Sequence, residues 1–401
     1  MYSYLANQFQ RSSEQLNVLS VFKPMYIALS MFGLMPYSLK FPKNMEGAVI
    51  IQKSIYFNSL CAVSVILIIY LCFVLHVQQL FSVTETNTMT EVLSTKTNYM
   101  IELLTFLIHS TIAYISVFKN RCTYGKILNA IVSTNNKLLD RGKGASLRDI
   151  QIQVKVITVA LCLLMVAQLT INFTRLDTVW KIVLVTLTFI LPQIIQFVMI
   201  SFFYILVMMI AEILKAIHWQ LGSIVKARRF NATKFMKMEM QNVELRQIEI
   251  IYVKTMETKR DINDAFQACI LATAIQSFHS LISETFIIYR GLTGNGYLTT
   301  HDVFNCSIWV GYQLLKIYTI SRTGVMLKEQ LAKIGRSLHG IPTGKEDARL
   351  YLEIQHFSTL LKYQNAELTV YDYFPLDATL TFNIVTSAVL YLIILVQFDN
   401  P

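Results

Sequence analysis

Residues 54–84 contain no Asp, Glu, Lys or Arg, and within them stands the string AVSVILIIYLCFVL. A hydrocarbon core about 30 Å thick is crossed by about 20 apolar residues in a helix. The helix is also the one single-segment structure that pairs its own backbone groups where no water can. No other feature narrows the fold as much, because a run this long and uncharged has no place on the surface of a water-soluble domain.

The same reading recurs along the chain. Uncharged or nearly uncharged runs predict seven spans at about 54–78, 97–118, 156–174, 182–211, 265–289, 303–326 and 378–401. The fourth is longer than a bilayer needs, and the expectation is that it protrudes on the cytoplasmic side. The sixth is interrupted by Lys316 and Arg322, which are expected to snorkel to an interface. With 15% charged residues, the chain lacks the roughly 25% of a soluble domain. Ahead of the first span, residues 18–39 are apolar but broken by Lys23, Pro24 and Pro36, which predicts an interfacial helix in a cytoplasmic segment 1–53 and not a signal peptide.

The net charge of +10 would suggest nucleic acid in a soluble protein. Here the cations fall in blocks between the apolar runs. Of the 35 lysines and arginines, 28 lie in segments on one side of the seven-span scheme, and Lys96, Arg175 and Arg290 lie on the other. The positive-inside rule then puts the N-terminus in the cytoplasm and the C-terminus outside. The fold expected is an all-α membrane protein with cytoplasmic helical extensions, the inverse of a G-protein-coupled receptor. No nucleic-acid motif, phosphate loop, nucleophile elbow or metal spacing is present, so neither enzyme chemistry nor a cofactor is expected. Cys61, Cys72, Cys122, Cys162, Cys269 and Cys306 have no metal or disulfide pattern.

Residues 215–262 read as helical continuations of the fourth and fifth spans below the membrane. In 346–368, Leu350, Ile354, Phe357 and Leu361 form one apolar stripe, suited either to packing on those continuations or to the membrane surface. Residues 327–377 are expected to be cytoplasmic and helical as well.

In the last span, Thr386, Leu390, Ile393 and Gln397 share one stripe, and Tyr391 and Phe398 another. The first stripe fits a pore lining with an apolar constriction. Gln397 equally fits a residue at the outer interface.

Tyr391, five hydrophobic residues and Gln397-Phe398 resemble the signature that ends the last span of insect gustatory receptors, and Phe374-Pro-Leu-Asp377 upstream is similar to that family too. Leu390 stands where the family usually has threonine. The resemblance implies a tetrameric, homomeric or heteromeric, ligand-gated non-selective cation channel in the plasma membrane. The seventh span would line its pore, and each subunit would hold a small-molecule tastant in the outer half of its bundle. Leu392, where sugar receptors often carry glutamate, favours a bitter, aversive or contact-pheromone ligand. An odorant receptor of the same superfamily is the near alternative, and a secondary transporter a distant one.

Given this topology, the pocket candidates are Tyr99, Glu102, Phe106, His109, Gln168, Gln276, Ser280, Glu284, Trp309 and Tyr312, with Thr105, Asn172, Trp180, His279 and Gln313 nearby. Aromatic walls with a few placed polar groups are the composition of small-molecule sites. Gln276, Ser280 and Glu284 follow i, i+4, i+8 spacing and make one polar edge. Asn172-Phe-Thr174 and Asn305-Cys-Ser307 are glycosylation sequons close to the membrane.

Overall fold

The computed structural model describes residues 18–35, 38–40, 50–52, 55–82, 89–141, 144–175, 178–230, 235–293, 300–343, 348–364 and 367–399. It is helical almost throughout. In order run α1 (Val18–Met31), a short antiparallel pair β1 (Ser38–Lys40) and β2 (Ile50–Gln52), α2 (Ile55–Ser82), α3 (Met89–Lys119), α4 (Arg121–Leu139), α5 (Leu147–Arg175) and α6 (Val179–Val185). A π-helical turn, Thr186–Ile190, leads into α7 (Leu191–Phe230). Then follow α8 (Phe235–Leu292), α9 (Thr300–His339), α10 (Ala348–Tyr363), the hairpin β3 (Thr369–Val370) and β4 (Phe374–Pro375), and α11 (Ala378–Asp399). Among the described residues, five helical segments are long and apolar enough to cross a membrane, in α2, α3, α6–α7, α8 and α11.

α7 is the axis of the bundle. Its first half is apolar on nearly all sides, which fits a helix surrounded by protein, and Phe202, Phe203, Leu206, Leu214 and Ile217 are fully enclosed. α9 and α8 pack on it, and α3 packs on α8. Pro192 explains the π-turn. Its ring crowds the carbonyl four residues back and it offers no N–H; the helix widens just ahead of it, and the Leu191 N–H bonds back to the Thr186 carbonyl.

α7 and α8 run unbroken far past the apolar stretches, as the polar segment 215–262 predicts; its weak point, Asn231-Ala-Thr233, lies outside the described residues. The stripe on α10 turns inward: Leu350, Ile354 and Phe357 are buried, Leu361 packs beside them, and Phe357 meets Tyr252 of α8 with ring centroids 5.3 Å apart. Each such side chain contributes about 1.5–3 kcal/mol by leaving water. Packing on the helical extensions, not a lipid surface, accounts for the stripe.

Two elements outside the long apolar runs join the core. The basic stretch after the second apolar run is a helix, α4, whose Tyr124, Ile127, Leu128, Ile131 and Leu138 face α8 and α7. The N-terminal helix α1 is docked on the bundle, with Val18, Val21, Phe22 and Leu29 buried and Phe22 against Phe202 at 5.6 Å. It ends at Gly33, whose φ of +67 is a conformation only glycine adopts freely, and where a Cβ would sit 2.5 Å from the Ala62 nitrogen.

Candidate functional site

The polar residues of the bundle meet where α3, α7, α8 and α9 converge. Ser280 donates to Glu102 Oε1 at 2.6 Å, and Gln276 Nε2 donates to Ser280 Oγ at 3.3 Å. Lys316 Nζ donates to Gln276 Oε1 at 2.8 Å and to Gln196 Oε1 at 2.6 Å. Gln196 Nε2 closes the ring on Gln276 Oε1 at 3.2 Å, and the ammonium lies 4.8 Å from the centre of the Tyr312 ring.

Lys316 is therefore not a snorkelling side chain. It is 2% exposed, with its charge tied to two glutamine carbonyls and relayed through an amide and a hydroxyl to Glu102. Arg322 does reach outward, to Glu329 at 4.0 Å. A buried charge persists only when paired and hydrogen-bonded, and these four helices supply both conditions.

An aromatic cluster adjoins this network: Leu103, Phe106, Phe189, Phe197, Trp309 and Tyr312, with Tyr99 against it. Phe197 and Tyr312 stack at 6.3 Å, and Phe189, carried by the π-turn, meets Tyr99 at 4.9 Å and Phe106 at 5.9 Å. The π-turn also offers Thr188, which donates to the Leu184 carbonyl and lies 2.9 Å from His76 Nδ1, while Tyr99 Oη lies 2.9 Å from His76 Nε2. With the threonine hydrogen spent on the carbonyl, the imidazole donates through Nδ1 and accepts from Tyr99 at Nε2.

Of the residues expected to line a pocket, Tyr99, Phe106, Trp309 and Tyr312 belong to this cluster, and Glu102, Gln276 and Ser280 to the network beside it. His109 is buried on α3 and bonded to Thr273 at 3.2 Å, and Glu284 is buried one turn beyond Ser280. Gln313 is buried, Thr105 bonds the Glu102 carbonyl, and His279 is half-buried. Trp180 is 56% exposed and stands apart. The side chains of Gln168 and Asn172 lie outside the described residues. Asn305 is buried in α9, so its sequon is not presented to a glycosylating enzyme. Residues not singled out from the sequence include His76, Thr188, Gln193 and Gln196; a glutamine pair inside the long fourth run was the available signal.

The second region is α11. Thr386, Leu390, Ile393 and Gln397 are all exposed in the single chain, Leu390 at 57% and Ile393 at 49%. Tyr391 stands edge-on to Phe278 of α8, centroids 5.8 Å apart; the Phe398 side chain lies outside the described residues. The base of α11 is pinned to α9. Asp377 caps the helix, its Oδ1 accepting from the Thr379 N–H at 3.0 Å, and its Oδ2 accepts from Lys328 at 2.6 Å. These bonds hold the Asp377 carboxyl down at about 2. Gly324 permits the contact, since a Cβ there would lie 1.7 Å from the Leu376 carbonyl oxygen.

Long membrane-competent helices around an enclosed polar and aromatic site, with α2 and α11 left largely uncovered among the described residues, define a helical membrane protein. Residues 22–400 match the 7tm chemosensory receptor family, and the chain belongs to it. The fold is similar to that of the insect olfactory receptor OR5 from Machilis hrabei, with a TM-score of 0.70, 14% identity, and coverage of 95% of this chain and 98% of that one. The same receptor in complex with eugenol gives a TM-score of 0.69 at 14% identity, with the same coverage. At that identity the likeness is one of fold. No curated protein matches the sequence significantly.

Proposed function

We propose that this chain is a subunit of a ligand-gated, non-selective cation channel of the gustatory type, multi-pass in the plasma membrane. The observation that carries the reading is α11, whose apolar flank and polar Thr386 and Gln397 are left uncovered by the rest of the chain. Copies of that stripe around a common axis would give an apolar constriction between two polar rings, a gate that closes by dewetting. The resemblance of Tyr391 and Gln397-Phe398 to the gustatory signature supports a tetramer, homomeric or mixed, and supports a tastant over an odorant.

The ligand would sit among Tyr99, Phe106, Trp309 and Tyr312, beside Glu102, Gln276 and Ser280. The olfactory receptor solved with eugenol lends this fold a precedent for a small-molecule ligand. Leu392 argues for a bitter, aversive or contact-pheromone compound over a sugar. Binding there would act on the helices that Lys316 ties together, and α9 would pass the change to α11 through Gly324 and the Lys328–Asp377 bond.

The test is heterologous expression with a tastant panel, recording membrane current while G-protein signalling is blocked. A ligand-evoked cation current that survives the block is expected. A response that vanishes with the block would contradict the channel reading.

A further inference from the structure

The network around Lys316 is unfinished on one side. On α9, Gln313 is wholly buried, and among the described residues neither its side-chain amide nitrogen nor its side-chain carbonyl oxygen has a partner. On α7, Gln193 is buried, its side-chain amide nitrogen unpaired among the described residues. Each precedes a network member by three residues on its own helix, Gln313 before Lys316 and Gln193 before Gln196, and residues so spaced are neighbours on a helix surface. The two helices are in register here, because Tyr312 Oη donates to the Gln193 carbonyl at 3.3 Å and Lys316 reaches Gln196 at 2.6 Å. A buried amide without a partner carries the full cost of its lost hydration. Two of them beside one satisfied network, with the Phe197, Trp309 and Tyr312 rings adjoining, mark a place prepared for a polar group attached to a flat apolar body.

We propose that Gln193 and Gln313 form the polar end of the ligand site, and that its ligand is an electrically neutral molecule with an aromatic or otherwise flat apolar body and a carbonyl, ether or hydroxyl oxygen. This rests on the receptor reading above and names its ligand class.

Charge decides neutrality. One basic and one acidic side chain are already buried in this network, Lys316 on Gln196 and Gln276 and Glu102 on Ser280, so their charges offset one another. A cationic or anionic ligand would add a buried charge with no counterpart, which hydrogen bonds alone do not repay. The unpaired atoms decide the oxygen. Gln193 Nε2 and Gln313 Nε2 both offer N–H groups, and Gln313 Oε1 can accept, so an acceptor oxygen is required and a hydroxyl would use both kinds of group. A purely hydrocarbon ligand would leave the amides as unsatisfied as before, and a site built on hydrogen bonds discriminates steeply against such an analogue.

The test is thermal unfolding of the full-length chain in detergent with four compounds of similar shape: acetophenone, ethylbenzene, benzoate and benzylammonium. Acetophenone is expected to raise the midpoint, and each of the other three to need at least tenfold higher concentration for the same shift. Gln313→Leu should leave the unliganded midpoint unchanged or raised, because an unpaired buried amide is gone, and should weaken acetophenone at least tenfold. Gln193→Met should behave likewise. Equal stabilisation by a charged compound or by ethylbenzene, or no shift from any of the four, overturns the proposal. So does a lowered unliganded midpoint in both variants, which would give the amides an internal structural role. The readout is binding, so a chain that binds acetophenone selectively but conducts no current would refute the channel reading and leave this one standing.

Discussion

Replacing Lys316 with methionine separates a structural charge from a peripheral one. Methionine keeps most of the side chain's length and apolar volume, so the change removes an ammonium and opens little cavity. Lost are two bonds to carbonyl oxygens at 2.6 and 2.8 Å, of which the one to Gln196 has no substitute, since Gln276 Oε1 still receives Gln196 Nε2 at 3.2 Å. Hydrogen bonds to charged groups contribute about 1.5–3 kcal/mol each. Removing one member of a buried pair, leaving Glu102 uncompensated, costs about 3–5 kcal/mol, and that range is the expected loss. Changing Glu102 to glutamine in the same chain removes the stranded charge while preserving an acceptor for Ser280, so the double variant should recover about 2 kcal/mol, the size of coupling seen between contacting or networked groups. Unfolding of the solubilised protein, followed by size-exclusion chromatography after heating, gives all four corners of the cycle. A Lys316→Met chain within about 0.5 kcal/mol of wild type, the range of surface substitutions, would refute the claim that this lysine is a buried, paired charge.

Gly324→Ala should lower the midpoint and impair gating together, because a methyl group cannot occupy a point 1.7 Å from the Leu376 oxygen and the α9–α11 contact must open; overpacking of this kind costs about 1–3 kcal/mol. Asp377, held at about 2 against an ordinary 3.8, should stabilise the fold fully above about pH 4 and lose that contribution as pH falls towards 2; Asp377→Asn should abolish this part of the acid limb of a stability profile. A tag placed after Pro401 should bind antibody on unpermeabilised cells, given the charge asymmetry; labelling only after permeabilisation would reverse the topology.

The apolar runs made the helices legible because hydropathy over 20 residues is a strong signal; Pro192 inside the fourth run was the residue that could have marked the irregular turn. α4 carried an equally readable pattern in Tyr124, Ile127, Leu128 and Ile131, which its Thr, Asn and Ser residues obscured. Glu102, Gln276 and Ser280 stood out as polar residues in apolar surroundings, and the fold does bring them together. Lys316 was misread because distance from a helix end does not say which face a residue occupies; only the packing of α7 and α8 against α9 turns it inward. The partnership of His76 with Tyr99 and Thr188 depends on a π-turn that shifts every later residue's direction, and no spacing rule anticipates it.

The central claim, that α11 lines the ion path, is tested most directly by reversal potential under bi-ionic conditions in Gln397→Glu. If the stripe Thr386, Leu390, Ile393 and Gln397 surrounds a symmetric pore, one substitution sets several like charges around the ions, and the reversal potential should shift toward the more strongly attracted cation. An unchanged reversal potential in a variant that reaches the surface and still responds to ligand would put Gln397 at the lipid interface and contradict the pore assignment.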